Sequence, residues 1–117
     1  MFIKHRAAVC PFSLLLQVMD GNVSKGVCCN IDFRYGEQKH SIGVYGDDGN
    51  TYDNVRYYFD KEEYGTRTEM LEGSSLGGNR LSSFCGEVTV TECDGCYPES
   101  TPEFRPYLQK KERGLLC

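Results

Sequence analysis

The sequence predicts a mostly β domain built as a meander of antiparallel hairpins. Three observations carry that prediction. Apolar residues alternate with polar ones in several short segments, the period of a strand with one buried face. Eight tyrosines and six phenylalanines stand against no tryptophan, which suits partly wet sheet faces and cross-strand ring pairs. Seven cysteines in 117 residues suit a small domain stapled by disulfides.

In chain order, helical periodicity before residue 100 is confined to residues 12–19. Ile42 and Val44 alternate with Ser41 and Gly43, which makes a strand, and the run from Gly46 to Asn50 supplies residues that tolerate a turn. Val55, Tyr57 and Phe59 alternate with Arg56 and Tyr58 in a second strand. Asp60, Lys61, Glu62 and Glu63 then separate it from a strand expected over 64–70. Gly77 and Gly78 mark 73–79 as a loop. A strand is expected over 81–93, where Val88 and Val90 alternate with Glu87, Thr89 and Thr91. Beyond Pro98 the tail carries Pro102 and Pro106 and a basic, helical-looking stretch over 107–113. No internal repeat is evident.

The length fits one domain, and 39% hydrophobic content predicts a modest core that staples would help. The formal net charge is −4 and the 13 basic residues are scattered, so no stripe exists to track a phosphate backbone and nucleic acid is not an expected partner. No apolar run reaches the length of a transmembrane helix. Residues 1–9 read as a leader remnant, weakened as a signal by Pro11, followed by the β domain over 10–104 and a tail over 105–117. Asn22, Val23 and Ser24 form a glycosylation sequon, which agrees with export.

The cysteines are Cys10, Cys28, Cys29, Cys85, Cys93, Cys96 and Cys117. Three bridges and one spare thiol is the simplest count, with connectivity open. Cys93-Asp94-Gly95-Cys96 is a C-x-x-C, whose two sulfurs can be halves of separate bridges, share one zinc ion or close a redox disulfide. A zinc site would need Cys85 and one of His40, Cys117 or the Cys28-Cys29 pair to complete it. A thiol oxidoreductase would need a helix after the motif, whereas Tyr97 and Pro98 follow. Asp47, Asp48 and Asp53 cluster oxygen ligands around Gly49, a candidate calcium loop, though an Asp-Gly turn has the same composition. Asp60, Glu62 and Glu63 form a second acidic knot. His5 and His40 are the only histidines, and His40 is expected to point outward from its strand. No phosphate loop, metalloprotease or nucleophile-elbow motif is present, so binding is the expected class and no catalysis is expected.

From Cys10 to Glu103 the order of features resembles the ependymin family, as a shortened or divergent member close to the ependymin-related proteins. Cys10-Pro11 is similar to the first mature cysteine of that family, and Gln17-Val18-Met19 to the segment after it. Ile31-Asp32 stands where the family has Tyr-Asp. Tyr57-Tyr58-Phe59 through Glu62-Glu63-Tyr64 resembles its strand, acidic turn and strand, and Gly73-Ser74-Ser75 with Gly78 and Leu81 its Gly-Ser-Ser loop. Gly86 and Thr89-Val90-Thr91-Glu92 running into Cys96-Tyr97-Pro98 resemble its most specific element. The chain lacks the family's tryptophan near Gly86, the strands between the positions of Arg67 and Glu69, and its Phe-rich tail. The resemblance implies an antiparallel two-sheet half-barrel like that of bacterial lipoprotein carriers, with a concave pocket for a lipid or other apolar small molecule. It also implies calcium, glycosylation, secretion to the extracellular space or lysosome, an extracellular-matrix partner, a homodimer, and pairing of Cys10 with Cys96.

Overall fold

A computed structural model describes residues 6–46 and 55–109. The chain is mostly β. The strands are β1 (Ala8–Pro11), β2 (Cys29–Tyr35), β3 (Gln38–Gly46), β4 (Val55–Phe59), β5 (Glu62–Tyr64), β6 (Ser75–Leu76), β7 (Asn79–Arg80) and β8 (Glu87–Cys93). Two helices, α1 (Phe12–Ser24) and α2 (Arg67–Gly73), and two 3-10 turns, Pro98–Ser100 and Pro102–Tyr107, complete it. Six strands form one antiparallel sheet in the order β1-β8-β2-β3-β4-β5, and β6 and β7 form a separate small hairpin.

The three alternating segments read from the sequence lie in β3, β4 and β8, and their apolar residues share one face. Ile31 stands opposite Ile42, Ile42 opposite Phe59, Val44 opposite Tyr57, and Phe33 opposite Val90. The face is covered by α1, whose Phe12, Leu15, Val18 and Met19 are all buried at helical spacing. Met70 of α2, Leu76 and Leu81 extend the cover. Helices therefore lie where a second large sheet was expected, and the sheet is open, with no barrel closure among the described residues.

Several local expectations are corrected. Residues 64–70 do not continue as a strand: β5 ends at Tyr64 and α2 begins at Arg67. The cause is a cap, since the Thr66 side chain accepts from Glu69 N–H and Glu69 Oε1 accepts from Gly65 N–H. Of 81–93 only Glu87–Cys93 is strand. The Gly77-Gly78 pair is the turn of the β6–β7 hairpin, with both glycines at positive φ (61° and 85°). Ala8 and Val9, read as the end of a leader remnant, belong to β1, and Ala8 is fully buried. The edge of β1 is closed from the C-terminal side, where Leu108 bridges Ala8 and Gln109 N–H donates to Ala7 C=O. The loop carrying Asp47, Asp48 and Asp53, Cys117, His5 and the stretch 110–113 lie outside the described residues.

Candidate functional site

The uncovered face of the sheet is polar. Alternation sends Asn30, Asp32 and Arg34 of β2, Lys39 and Ser41 of β3, and Thr89 and Glu92 of β8 to this side. An irregularity in the β2–β8 ladder after Asp32 sets its register, so that Asp32 stands opposite Glu92 while Arg34 stands opposite Thr89. On the other flank Arg34 stands opposite Lys39. Two like-charge pairs, one acidic and one basic, therefore sit in register one step apart along β2. Direct like-charge opposition is unfavourable in a sheet. Asp32 Oδ1 accepts from the Ser41 hydroxyl at 2.5 Å, and among the described residues no ion pair joins the two acids to the two bases. Two adjoining concavities of about 430 and 540 Å³ open here, sharing Lys39, Ser41 and Asp60.

A second constellation stands at the end of β8. Cys93-Asp94-Gly95-Cys96 is a tight hairpin turn: Asp94 and Gly95 both have positive φ (56° and 79°), and Cys93 and Cys96 exchange backbone hydrogen bonds of 2.8 and 3.0 Å. Asp-Gly at the two central positions is what such a turn requires. Asp94 is tied to β2, since its N–H donates to Asn30 C=O (2.7 Å) and its Oδ1 accepts from Asn30 N–H (2.8 Å). Its other oxygen, Oδ2, lies 3.9 Å from Cys93 Sγ. Cys29, the first residue of β2, brings a second sulfur, and one ligand atom from each of Cys29, Cys93 and Asp94 falls within 4.8 Å of the others. Cys29 and Cys93 are both buried and Asp94 is exposed. The hydrogen bond shared with Cys93, and then burial, push the Cys29 thiol up. The adjoining Cys29 thiol, and to a smaller extent the Thr101 side chain, hold Cys93 below the ordinary thiol range.

The structure thus brings Cys29 and Cys93 together, with Cys96 across the turn, and does not bring Cys10 to Cys96. Cys10 faces Val88, five residues up β8 from Cys93, a rise of roughly 16 Å at strand spacing. The Cα separation of a disulfide is about 4.4–6.8 Å, so the implied Cys10–Cys96 bridge does not fit this register. Cys85 is exposed ahead of β8, at the opposite end from the turn, and so is not part of a set with Cys93 and Cys96. Among the described residues no two cysteines are joined in a disulfide. Cys28 is exposed beside Cys29. Asn22 lies in the last turn of α1, half-buried.

His40 points inward, a correction to its expected outward orientation. It shares the face of Ile42 and Val44, and its ring stacks between Phe33 and Phe59 at centroid distances of 5.5 and 5.4 Å. Nδ1 lies 2.9 Å from Asp60 Oδ2, and Nε2 is buried with no hydrogen-bond partner among the described residues. No hydroxyl or thiol nucleophile is placed on Nε2, so the Asp60–His40 pair is not extended into a triad. Asp60 also accepts from Ser41 N–H, which fixes the acidic knot at the rim of the polar face. Glu62 and Glu63 are exposed on β5. The charge pairing across β2 and the Cys29–Cys93 contact were missed from the sequence. Comparison with protein-family profiles, with curated proteins and with solved structures gives no match.

Proposed function

We propose that this chain is a non-catalytic binding domain whose ligand site is the open face of the six-stranded sheet, and that its ligand is an amphiphile with a zwitterionic head. The observation that carries the reading is the pair of like-charge oppositions, Asp32 with Glu92 and Arg34 with Lys39. Each is unfavourable in the free protein and each is relieved by a ligand group of opposite sign. A head group with an anion and a cation a few ångströms apart matches both at once, because residues two apart on a strand are about 6.7 Å apart. The apolar side of the sheet is filled by α1 and α2, so the ligand's tail would lie over the polar groove rather than inside a deep apolar cavity.

The resemblance to the ependymin family supports the same class, a lipid-binding, exported glycoprotein. Under it the six-stranded sheet is one of the two sheets of a half-barrel, a second copy of the chain is a partner and calcium a structural ion; that Asp47, Asp48 and Asp53 hold the calcium rests on their composition alone. The test is calorimetric titration of the full chain with lysophosphatidylcholine below its micelle concentration. Saturable binding that weakens at least tenfold in a double variant, Arg34→Glu with Lys39→Glu, is the expected result. Absence of binding, or equal binding by the double variant, would overturn the proposal.

A further inference from the structure

We infer that Cys29, Cys93 and Asp94 form a three-residue site for a borderline-soft divalent cation of the zinc type, with the fourth tetrahedral position left to an external ligand such as water. The site is separate from the polar groove and does not rest on the binding function proposed above. Its first warrant is spacing. Ile31, two residues after Cys29, is the register partner of Cys93, so the two cysteines are diagonal neighbours, whose Cα atoms lie about 7–8 Å apart in a regular ladder. That exceeds the usual disulfide separation of about 4.4–6.8 Å. Two sulfurs each about 2.3 Å from a shared zinc ion are about 3.8 Å apart, a separation that sulfurs lying within 4.8 Å of each other reach with a small side-chain adjustment.

A second warrant is how the carboxylate is held. Asn30 N–H occupies Asp94 Oδ1, and the left-handed turn conformation fixes the residue, leaving Oδ2 beside the Cys93 sulfur at 3.9 Å. Cys96, although it pairs with Cys93 across the turn, lies outside the group of Cys29, Cys93 and Asp94 and is exposed. Binding exchanges thiol protons for the metal: Cys29 and Cys93 release their protons to the buffer as the metal–sulfur bonds form, Asp94 binds as its carboxylate, and no electron is transferred. Affinity therefore falls toward acid pH.

The experiment uses the full chain purified from zinc-supplemented cells without chelator or reductant. Metal analysis and intact mass after thiol alkylation are expected to give one zinc per chain and no bridge between Cys29 and Cys93. Replacement by Co²⁺ should give a thiolate-to-metal charge-transfer band with tetrahedral ligand-field absorption. Cys29→Ser and Cys93→Ser should abolish that band. Asp94→Asn retains an acceptor for Asn30 N–H while removing the ligand oxygen, so it keeps the fold and should weaken Co²⁺ binding at least tenfold. Cys85→Ser should leave both band and affinity unchanged. A Cys29–Cys93 disulfide in the purified protein overturns the proposal, as does a cobalt spectrum that Asp94→Asn and Cys93→Ser leave intact. Lysophosphatidylcholine binding is measured on the same samples, and its presence or absence bears only on the groove.

Discussion

Gly43 and Tyr58 illustrate how closely single residues are matched on the open face. The two are register partners in β3 and β4, and the Tyr58 ring lies across Gly43 so that its hydroxyl donates to Asn30 Oδ1. A Cβ at position 43 would stand 2.6 Å from Tyr58 Cζ, so only glycine leaves room for the ring. Burial first, and then the negative charge of Asp32 and its neighbours, lift Tyr58 from the usual 10.0 to about 12. Cys10, buried next to Glu87, moves from 9.0 to about 12. Both shifts are upward, so their contribution to stability is intact below the unfolded values and declines as pH rises toward the folded ones. Urea midpoints are therefore expected to hold from neutral pH to about 9 and to fall between there and about 12. Tyr58→Phe should flatten the upper part of that decline and Cys10→Ala the lower part. Slopes identical to wild type in both variants would contradict the assignment. His40 shows what the sequence carried at this scale: a period of two through Ile42 and Val44 already places residue 40 on the buried face, and the signal was overridden by the usual exposure of histidine.

At the scale of elements, local rules governed what was legible. The strands with strict alternation were readable because one face is buried and the other wet, and α1 was readable from its apolar spacing. α2 was not, because seven residues give barely two turns of periodicity. Its start is nevertheless written in the chain as Thr66-x-x-Glu69, the spacing in which the two side chains satisfy backbone donors at a helix start. Thr66→Ala is expected to cost about 1 kcal/mol, measurable as a shift in the denaturant midpoint with unchanged slope. Arg67, which reaches Asp20 of α1 through bonds of 3.0 and 3.1 Å, is substantially exposed. Its pair contributes less than the cap, on the order of a few tenths of a kcal/mol. The Cys29–Cys93 contact was illegible for a different reason: it joins residues 64 apart in the chain, and no local pattern encodes the register that sets them together.

For the whole molecule the decisive feature is that one sheet has two unlike faces. Helix α1 and the loop ahead of β8 seal the apolar one, with Phe12 at their junction, edge-on to Phe84 (5.6 Å) and tilted against Phe33 (6.1 Å). Phe12 is 1% exposed. Phe12→Ala is expected to cost about 3–5 kcal/mol, typical of an aromatic ring removed from a packed interior. That is a large share of the stability of a domain this size, so a loss under 1 kcal/mol in equilibrium unfolding would mean that α1 is not packed as described. The sheet's borders are handled unequally. β5 is only three residues long and carries Glu62 and Glu63, features that discourage further strand pairing, whereas β1 is closed by residues 108 and 109. The closure at β1 bears on how the molecule yields to force. Residues 7 and 109 leave the sheet side by side and antiparallel, so tension applied between them loads the hydrogen bonds one after another. Under such a pull the domain opens like a zipper from that border, the C-terminal segment first and β1 next, at far lower force than if the same strands were sheared along their length.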